Sequence, residues 1–282
     1  MGDLDGKTAL VTGASRGIGY ATARGLARNG ARVLVHARNR DSGERALDGL
    51  RREVPGAQFD LVVADVGTMA GTRQLAAAVL EKAPRLDILI NNVGAMYSDR
   101  TLTPDGWETT FAVNHLSIFL LTNLLLDRMR QSAPARIITI ASEAHRGAVI
   151  DFDDPGLSGR YSAMAALSQS KLANILFTRA LARRLTASGV QAYCLHPGHV
   201  RTDFTRDLRG WLRVFVAIIR IRFLSTGEGA RTGLHLAMAP LPPEANGGYF
   251  ENCTRKEPSS HACDDAVAER LWELSTRMTG LA

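Results

Sequence analysis

Short apolar runs alternate along the chain with longer segments in which apolar residues recur every three or four positions. The runs occupy residues 8–13, 32–37, 59–63, 86–91, 136–141 and 190–196. Strands that are apolar almost throughout are typical of a parallel sheet with both faces covered. The amphipathic segments predict helices at residues 18–26, 68–82, 107–129 and 163–186. This alternation predicts one doubly wound α/β domain over residues 1–282, with helices on both faces of the sheet and right-handed crossovers.

The composition fits a single domain. With 282 residues, 45% hydrophobic and 22% charged, the chain can bury a full core. The net charge of +6 comes from arginines spread over many segments, which argues against nucleic acid as a partner because that would require a basic stripe. Cys194, Cys253 and Cys263 lack metal-ligand spacing, so we expect no metal site, no disulfide framework and a reducing, cytoplasmic location.

The pattern predicts neither a targeting segment nor a transmembrane segment. The first residues lead into a strand without the basic and apolar regions of a secretory signal. Residues 210–224 are strongly apolar, but Arg213, Arg220 and Arg222 interrupt them before they reach the ~20 residues of a membrane span. This stretch therefore either covers a site or lies on a membrane surface.

Gly13, Gly17 and Gly19 stand between the first strand and its helix, in the segment TGASRGIG. In that context the first glycine permits a sharp turn, the second lets the backbone approach a pyrophosphate, and the third lets helix and strand pack closely. The helix N-terminus then faces the phosphates. The strand before and the helix after favour a Rossmann fold with a dinucleotide site over a glycine-rich turn without a ligand.

Three further motifs accompany the glycines: ADV at residues 64–66, NNVG at 91–94 and HPGHVRTD at 196–203. Together they resemble the short-chain dehydrogenase/reductase family over essentially the whole chain. FAVNHLSIFLLT and QSKLANILFTRALARRL are most similar to its retinol dehydrogenase and WW-domain oxidoreductase branch, which acts on lipophilic carbonyls and alcohols. Besides the glycines, the resemblance implies cofactor contacts from Ser15, Arg16, Ile18, Asp65, Val66, Asn92, Gly94, Lys171, Pro197, Gly198 and Thr202.

The end of the second strand bears on the choice of cofactor. Enzymes that select NAD commonly place an acidic residue there, where it accepts hydrogen bonds from the ribose hydroxyls. Here the strand ends in Ala37 and Arg38. Arg38, with Arg16 in the glycine loop, offers guanidinium groups to a 2′-phosphate. We therefore expect NADP(H).

The resemblance also implies a catalytic set with one member replaced. Ser142 would hold the substrate oxygen, Lys171 would bind the nicotinamide ribose, and Asn114 would anchor a water in a proton relay. The family's tyrosine, which transfers the proton, belongs four residues before the lysine. Leu167 occupies that position. Because a positioned general acid contributes ~10²–10⁴-fold, fast carbonyl reduction is not expected.

Three interpretations of the missing tyrosine remain open. Another acid could serve, and Glu143, His145 and His199 are candidates, although their positions favour a solvent-exposed loop side chain in each case. A conjugate C=C reduction would need no proton at oxygen. A non-redox role, as a cyclase, isomerase or inactive cofactor-binding protein, is the third. Tyr161 lies six residues before Leu167, on a different helical face, and is expected in the substrate pocket wall.

A segment at residues 204–226 follows the HPGHVRTD loop, where the family places its substrate lid. Such a lid would present Trp211 and Phe215 to an apolar ligand and exclude water. We therefore expect a hydrophobic substrate whose pocket includes His145, Tyr161, His199, Trp211 and Phe215. Family members commonly pair through the helices predicted at 107–129 and 163–186, which implies a possible homodimer.

Overall fold

The computed structural model describes residues 2–198 and 225–281. Within these residues the chain forms one eight-stranded sheet in the order β3-β2-β1-β4-β5-β6-β7-β8. Neighbouring strands are parallel except for β8, which pairs antiparallel with β7. The strands are β1 Thr8–Val11, β2 Arg32–Ala37, β3 Phe59–Val63, β4 Ile88–Asn91, β5 Ala135–Ile140, β6 Val190–His196, β7 Tyr249–Glu251 and β8 Thr254–Lys256. The six apolar runs correspond to β1 to β6, whereas β7 and β8 are not evident from the pattern.

The helices alternate with the strands as expected for a doubly wound fold. They are α1 Gly17–Arg28, α2 Arg40–Glu53, α3 Met69–Lys82, α4 Thr109–Phe111, α5 Ser117–Gln131, α6 Ala163–Arg184, α7 Thr226–Met238 and α8 Asp265–Thr279. The helix predicted at 107–129 is divided by a π-helical turn, Ala112–Leu116, between α4 and α5. A single wide turn leaves the apolar spacing almost unchanged, so periodicity alone does not reveal it.

Two apolar layers fill the space between sheet and helices. On one face Leu75 of α3, Leu125 of α5 and Leu181 of α6 are buried together. On the other face Leu26 of α1 and Leu50 of α2 pack with residues of α7. Both faces of the sheet are therefore covered by helices and shielded from solvent, which explains why β1 to β6 are apolar almost throughout.

The order of the strands fixes where a ligand can bind. From β1 the chain goes to one side of the sheet for β2 and β3, and then returns to the other side of β1 for β4. In open α/β sheets the crevice outside the carboxyl ends of the strands at such a reversal is the usual ligand site.

Helix α8 covers part of the surface expected to meet a second copy. The Trp272 ring lies 5.0 Å from the Phe119 ring of α5 and stacks on Phe177 of α6 at 5.7 Å. Ion pairs join the end of α6 to α8, including Arg183 to Asp265 at 2.5 Å. Helix α8 therefore lies over this part of α5 and α6, and a homodimer through these helices stays a prediction.

Among the described residues, one helical stretch, Thr109–Gln131, is long and apolar enough to cross a membrane, with a mean hydropathy of 1.4. Of its most apolar window, 83% is buried inside the protein. Its apolar character is therefore accounted for by the core between α3, α6 and the sheet.

Candidate active site

A cleft of about 1340 Å³ lies at the carboxyl ends of the strands. It runs from the glycine loop after β1 past the end of β5 to the first turns of α6. Sixteen of the residues selected from the sequence line it, namely Gly13, Ser15, Arg16, Gly17, Ile18, Gly19, Arg38, Asp65, Val66, Asn92, Gly94, Ser142, Leu167, Lys171, Pro197 and Gly198. His199, Thr202, Trp211 and Phe215 lie outside the described residues, as do residues 204–224 of the expected lid.

The glycine loop has the geometry that the sequence predicts for a phosphate-binding turn. Gly13 and Gly17 have φ angles of 63° and 62°, a region in which a Cβ causes strain. A Cβ on Gly19 would lie 2.5 Å from both the Gly13 carbonyl oxygen and the Asn92 side chain. Helix α1 begins at Gly17 without a side-chain cap, so its first N–H groups are available to an anion.

Thr12 and Asn92 fasten this loop to the end of β4. The Thr12 hydroxyl accepts the N–H groups of Asn92 and Val93 at 2.9 and 3.1 Å, and donates to the Ile90 carbonyl at 3.2 Å. The Asn92 amide donates to the Thr12 and Gly13 carbonyls at 2.8 and 3.3 Å. Asn92 therefore braces the glycine loop, in addition to lining the cleft as predicted.

His36 lies beneath the same loop and has no counterpart among the predicted residues. It is 2% exposed and lines the cleft. Its Nδ1 accepts the Gly13 N–H at 3.1 Å, and its Nε2 lies 3.0 Å from the Ala64 carbonyl oxygen. Burial lowers the pKa of His36.

The far end of the cleft is basic. Arg16 and Arg38 line it as predicted, and Arg45 of α2 joins them with Asn39 and Ser42. The sequence analysis did not select Arg45, which lies seven residues beyond Arg38. Arg45 reaches the cleft because α2 packs beside β2. These side chains form a guanidinium-rich rim at the end of the cleft beyond the glycine loop.

Asn114 sits in the π-helical turn and is fully buried behind the wall of the cleft. Its Oδ1 accepts the Ala95 N–H at 2.7 Å, and its Nδ2 donates to the Ala95 carbonyl at 2.9 Å and to Ser170 Oγ at 3.0 Å. Ser170 Oγ in turn donates to the Leu167 carbonyl at 2.7 Å. The side chain of Asn114 thus ties the wall at Ala95 to the turn of α6 that carries Leu167.

Ser142, just beyond the end of β5, and Lys171, in the third turn of α6, lie in the wall of the cleft. Ser142 is two residues past the strand end and caps a short 3-10 turn, with its Oγ accepting the Ala144 N–H at 3.2 Å. Lys171 is buried, and its Nζ donates to the Ile140 carbonyl at 3.1 Å. Burial lowers the pKa of Lys171 to about 8, so its proton is held less firmly than that of an exposed lysine.

Leu167 lies one helical turn before Lys171, on the same face of α6. It lines the cleft and is 7% exposed. Its side chain packs with Met96, Ala163 and Ala144 in a small apolar cluster. If Leu167 occupies the position of the family's tyrosine, as the resemblance implies, that position presents an alkyl group to the cleft.

The proposed substitute acids lie in less favourable places. His145 is fully buried, with Nδ1 2.7 Å from the Ser142 carbonyl oxygen and Nε2 accepting the Ser259 N–H at 3.0 Å. Both ring nitrogens are used, so His145 supports Ser142 from behind instead of lining a substrate pocket as predicted. Glu143 forms an ion pair with Arg146 at 2.7 Å and accepts the Tyr249 hydroxyl at 3.0 Å.

Tyr161 acts on the wall through another tyrosine. Its hydroxyl donates to the Tyr97 carbonyl at 2.8 Å, and Tyr97 itself lines the cleft. The residue before it, Met96, packs on Leu167. The sequence analysis did not select Tyr97, because it lies seventy residues before Leu167 and no local pattern connects the two positions.

Two apolar side chains that the sequence analysis did not select, Leu102 and Met164, also line the cleft while each remains 53% exposed. Both stand near the opening. Large exposed apolar side chains beside a cleft are typical of ligand-binding walls.

The comparison with known families decides the identity of this fold. A model of short chain dehydrogenases matches residues 7–213, which include the glycine loop, β1 to β6 and α6. The chain belongs to the short-chain dehydrogenase family. Retinol dehydrogenase 14 from Mus musculus is 41% identical over 99% of this chain and 88% of its own length. Retinol dehydrogenase 12 from Mus musculus is 42% identical with the same coverage.

Solved structures give the same answer for this short-chain dehydrogenase. An uncharacterized protein from Mycobacterium paratuberculosis is 34% identical, with a TM-score of 0.77 over 98% of this chain and 94% of that one. The Pseudomonas aeruginosa RhlG/NADP active-site complex is 32% identical, with a TM-score of 0.67 over 84% and 91%. A 7α-hydroxysteroid dehydrogenase with NADH and 7-oxo glycochenodeoxycholic acid is 25% identical, with a TM-score of 0.68 over 88% and 92%.

Proposed function

We propose that this short-chain dehydrogenase is an NADP(H)-dependent oxidoreductase for a hydrophobic carbonyl, alcohol or enone, with an active site that lacks the catalytic tyrosine. One observation carries the proposal: Ser142, Leu167 and Lys171 line the same continuous cleft as the glycine loop. A dinucleotide held by that loop would extend toward these three side chains.

The cleft fits a dinucleotide. The close approach at Gly19 and the uncapped start of α1 form a cradle for a pyrophosphate. Arg16, Arg38 and Arg45 at the far rim favour the 2′-phosphate of NADP(H), because guanidinium groups bind phosphate oxygens in a charge-assisted, bidentate manner. Among the similar structures one is a complex with NADP and another with NADH. The similarity therefore leaves both cofactors open, and the arginines of the rim are what supports NADP(H).

The chemistry of the bound nicotinamide is hydride transfer to or from carbon, and the protein's residues act on the substrate around it. The Ser142 hydroxyl can donate to a substrate carbonyl oxygen. Lys171 supplies positive charge beside that oxygen, in a site partly shielded from water. Leu167 excludes water from the adjoining space and donates nothing. Negative charge that develops on the substrate oxygen would therefore be stabilised by Ser142 and Lys171, while no group at position 167 would protonate that oxygen.

Among the described residues that line the cleft, the Lys171 ammonium and the Tyr97 phenol are candidates to return a proton to the substrate oxygen. If the Lys171 ammonium donates it, directly or through water, carbonyl reduction falls as pH rises through about 8, because the neutral amine then predominates. In that case Tyr97→Phe would keep the rate. A rate lost in Tyr97→Phe and retained in Tyr161→Phe would assign the step to Tyr97. With an enone substrate, hydride would go to the β-carbon and water would protonate the α-carbon of the resulting enolate, so neither group would be needed.

The substrate is proposed to be apolar. Leu102 and Met164 line the cleft while half exposed, and Leu167 adds a further alkyl surface. The names of the relatives point the same way, since two are retinol dehydrogenases and a similar structure holds a 7-oxo bile acid. A lid at residues 204–226 that brings Trp211 and Phe215 over such a substrate remains part of the proposal. The last two residues of this segment belong to the start of α7, where Ser225 is the cap and Thr226 the first helical residue.

Leu167 itself favours a second candidate, a non-redox cyclase or isomerase, or a protein that binds NADP(H) without turning it over. Ser142 and Lys171 could polarise a carbonyl in any of these roles.

All three cysteines are free, which supports the proposal of a reducing compartment such as the cytoplasm.

Incubation of the protein with NADPH and a panel of apolar aldehydes, ketones and enones tests the proposal. We expect slow NADPH oxidation with at least one substrate, fastest for an enone. The second candidate would be supported if the protein binds NADPH tightly but neither oxidises NADPH with any member of the panel nor reduces NADP⁺ with the matching alcohols. Absence of binding to both NADPH and NADH would refute the oxidoreductase and the NADP(H)-binding protein alike, and would leave the cyclase or isomerase.

A further inference from the structure

His36 occupies a position in the sheet from which it reaches the ends of three neighbouring strands. It is the second-last residue of β2, and β2 lies between β1 and β3. On the β1 side its Nδ1 accepts the Gly13 N–H at 3.1 Å. On the β3 side its Nε2 lies 3.0 Å from the Ala64 carbonyl oxygen. Its backbone carbonyl also accepts the Ala14 N–H at 2.9 Å.

These contacts define the protonation state of the ring. A backbone N–H can only donate, so Nδ1 must carry a lone pair. The carbonyl of Ala64 can only accept, so Nε2 must carry the hydrogen. The geometry therefore requires the neutral ring with its hydrogen on Nε2, which agrees with the direction of its pKa shift.

The groups joined by His36 belong to two separate parts of the dinucleotide site. Gly13 starts the loop that faces the pyrophosphate. Ala64 directly precedes Asp65 and Val66, which line the adenosine end of the cleft. One imidazole thus fixes the spacing between the phosphate loop and the adenosine loop, and it does so where the two strands that carry them are not paired with each other.

We propose that His36 is a positioning residue that holds these two loops in register for the dinucleotide, and that its protonation releases the glycine loop and weakens cofactor binding in acid. The inference rests on the proposed binding of NADP(H) in this cleft. A ring charged at both nitrogens would place an N–H against the N–H of Gly13, and that hydrogen bond would be lost.

The surroundings of the ring set the pH range. Burial lowers the pKa of His36, while the Ala64 carbonyl and the nearby Asp65 carboxylate oppose the shift. From the β1 side the ring meets backbone groups of Gly13. Arg16, Arg38 and Arg45 line the same cleft. Since the folded pKa is lowered, stability is full above pH ~6.5 and falls below it, where the unfolded ring takes up a proton. Affinity falls only at the lower pH at which the ring of the folded protein is protonated.

Two variants separate the two hydrogen bonds of His36. His36→Asn can place Oδ1 near the position of Nδ1 and accept the Gly13 N–H, and it does not titrate. His36→Leu fills the space but leaves the Gly13 N–H without its acceptor. Because an unsatisfied buried donor is costly, we expect His36→Leu to weaken NADP⁺ binding about tenfold or more at pH 7.5 and His36→Asn to weaken it much less. His115→Asn is the control, a second buried histidine bonded through both nitrogens, to Asn174 and Ser275.

Isothermal titration of NADP⁺ between pH 8 and 5 gives the decisive readout, with the melting temperature of the unliganded proteins measured over the same range. The wild-type affinity should fall more steeply in acid than that of His36→Asn. Taking the ratio of the two proteins with the same ligand cancels the titration of the 2′-phosphate itself. The unliganded wild type should also lose stability below pH ~6.5, and His36→Asn should lose less.

The outcomes are distinguishable. If the wild type binds NADP⁺ but His36→Leu binds equally well, or if wild type and His36→Asn share one pH profile, the role of His36 is refuted while the proposed function stands. If the wild type binds neither NADP⁺ nor NAD⁺, the proposed function fails and the inference fails with it. A loss of affinity in His115→Asn equal to that in His36→Leu would show general destabilisation and would also overturn the assignment.

Discussion

The two ends of the cleft use their polar groups in opposite ways. At the glycine loop, Thr12, His36 and Asn92 form a connected set of hydrogen bonds around backbone that must approach a phosphate closely. At the end that contains Ser142 and the Lys171 side chain of α6, the alkyl side chain of Leu167 lies in the wall and packs against Met96. The binding half has a connected set of polar groups, whereas the chemical half, if Leu167 takes the place of the family's tyrosine as proposed, lacks a donor at that position.

This difference teaches that binding and chemistry are supported by separate parts of the fold. The hydrogen bonds of Thr12, His36 and Asn92 hold the glycine loop from the ends of β1, β2 and β4. Leu167 and Lys171 are carried by α6 and connected to Asn114 through Ser170. A substitution on α6 can therefore change the reaction while the dinucleotide site remains intact, and the following variants test that separation.

Leu167→Tyr should have the largest effect. A phenol one turn before Lys171 would restore a general acid, and we expect carbonyl reduction to rise ~10²–10⁴-fold while the affinity for NADPH stays the same. Leu167→Phe is the matched control, since it adds the ring without the hydroxyl. Steady-state kinetics with an apolar ketone provide the measurement. Equal rates in the two variants would mean that the site has been rebuilt beyond this one position.

Gly19→Ala should break the binding half instead. The added Cβ meets the Gly13 carbonyl oxygen and the Asn92 side chain at 2.5 Å, and backbone cannot move away as a flexible side chain can. Overpacking of this kind should weaken NADPH binding about 10- to 100-fold. Gly159→Ala is the control, because a Cβ added there would meet no described atom within 4 Å. Fluorescence titration with NADPH decides, and unchanged binding in Gly19→Ala would contradict the cradle.

Local patterns of the sequence predict the binding half well. The glycine spacing lies within one turn between a strand and a helix, so its geometry follows from neighbouring residues. The position of Leu167 relative to Lys171 follows in the same way from the helical period. Six strands and the doubly wound class also follow, because apolar runs and amphipathic segments are local features.

Residues that reach the cleft through tertiary packing could not be predicted. Tyr97 and Arg45 become neighbours of the site only when their elements are placed beside the sheet. His36 reads as one more position of an apolar strand until the ends of β1 and β3 flank it. Helix α8 covers part of α5 and α6 through Trp272, a contact between residues more than ninety positions apart, which local patterns do not reveal.

Arg38→Ala sharpens the comparison within the binding half. Removing one guanidinium from the rim should weaken NADPH binding about tenfold and leave NADH binding unchanged, because hydrogen bonds to charged groups contribute about 1.5–3 kcal/mol. Arg40→Ala provides the control, since Arg40 is 73% exposed and pairs with Glu44 on the surface, where such pairs contribute little. Titration with both cofactors measures the ratio. An equal loss for NADPH and NADH would place Arg38 elsewhere than at the 2′-phosphate.

Met164→Ser should produce the smallest effect and concerns the substrate end of the cleft. Met164 is 53% exposed and lines the cleft, whereas Val149 is 52% exposed and does not belong to its described lining. If an apolar substrate covers Met164, replacing it with serine removes buried apolar contact and should raise KM about threefold without changing kcat. Val149→Ser has nearly the same exposure and should leave both constants unchanged. A fall in kcat with constant KM would instead show that Met164 shapes the reacting geometry, and then the separation between a binding wall and a chemical wall would not hold at this end.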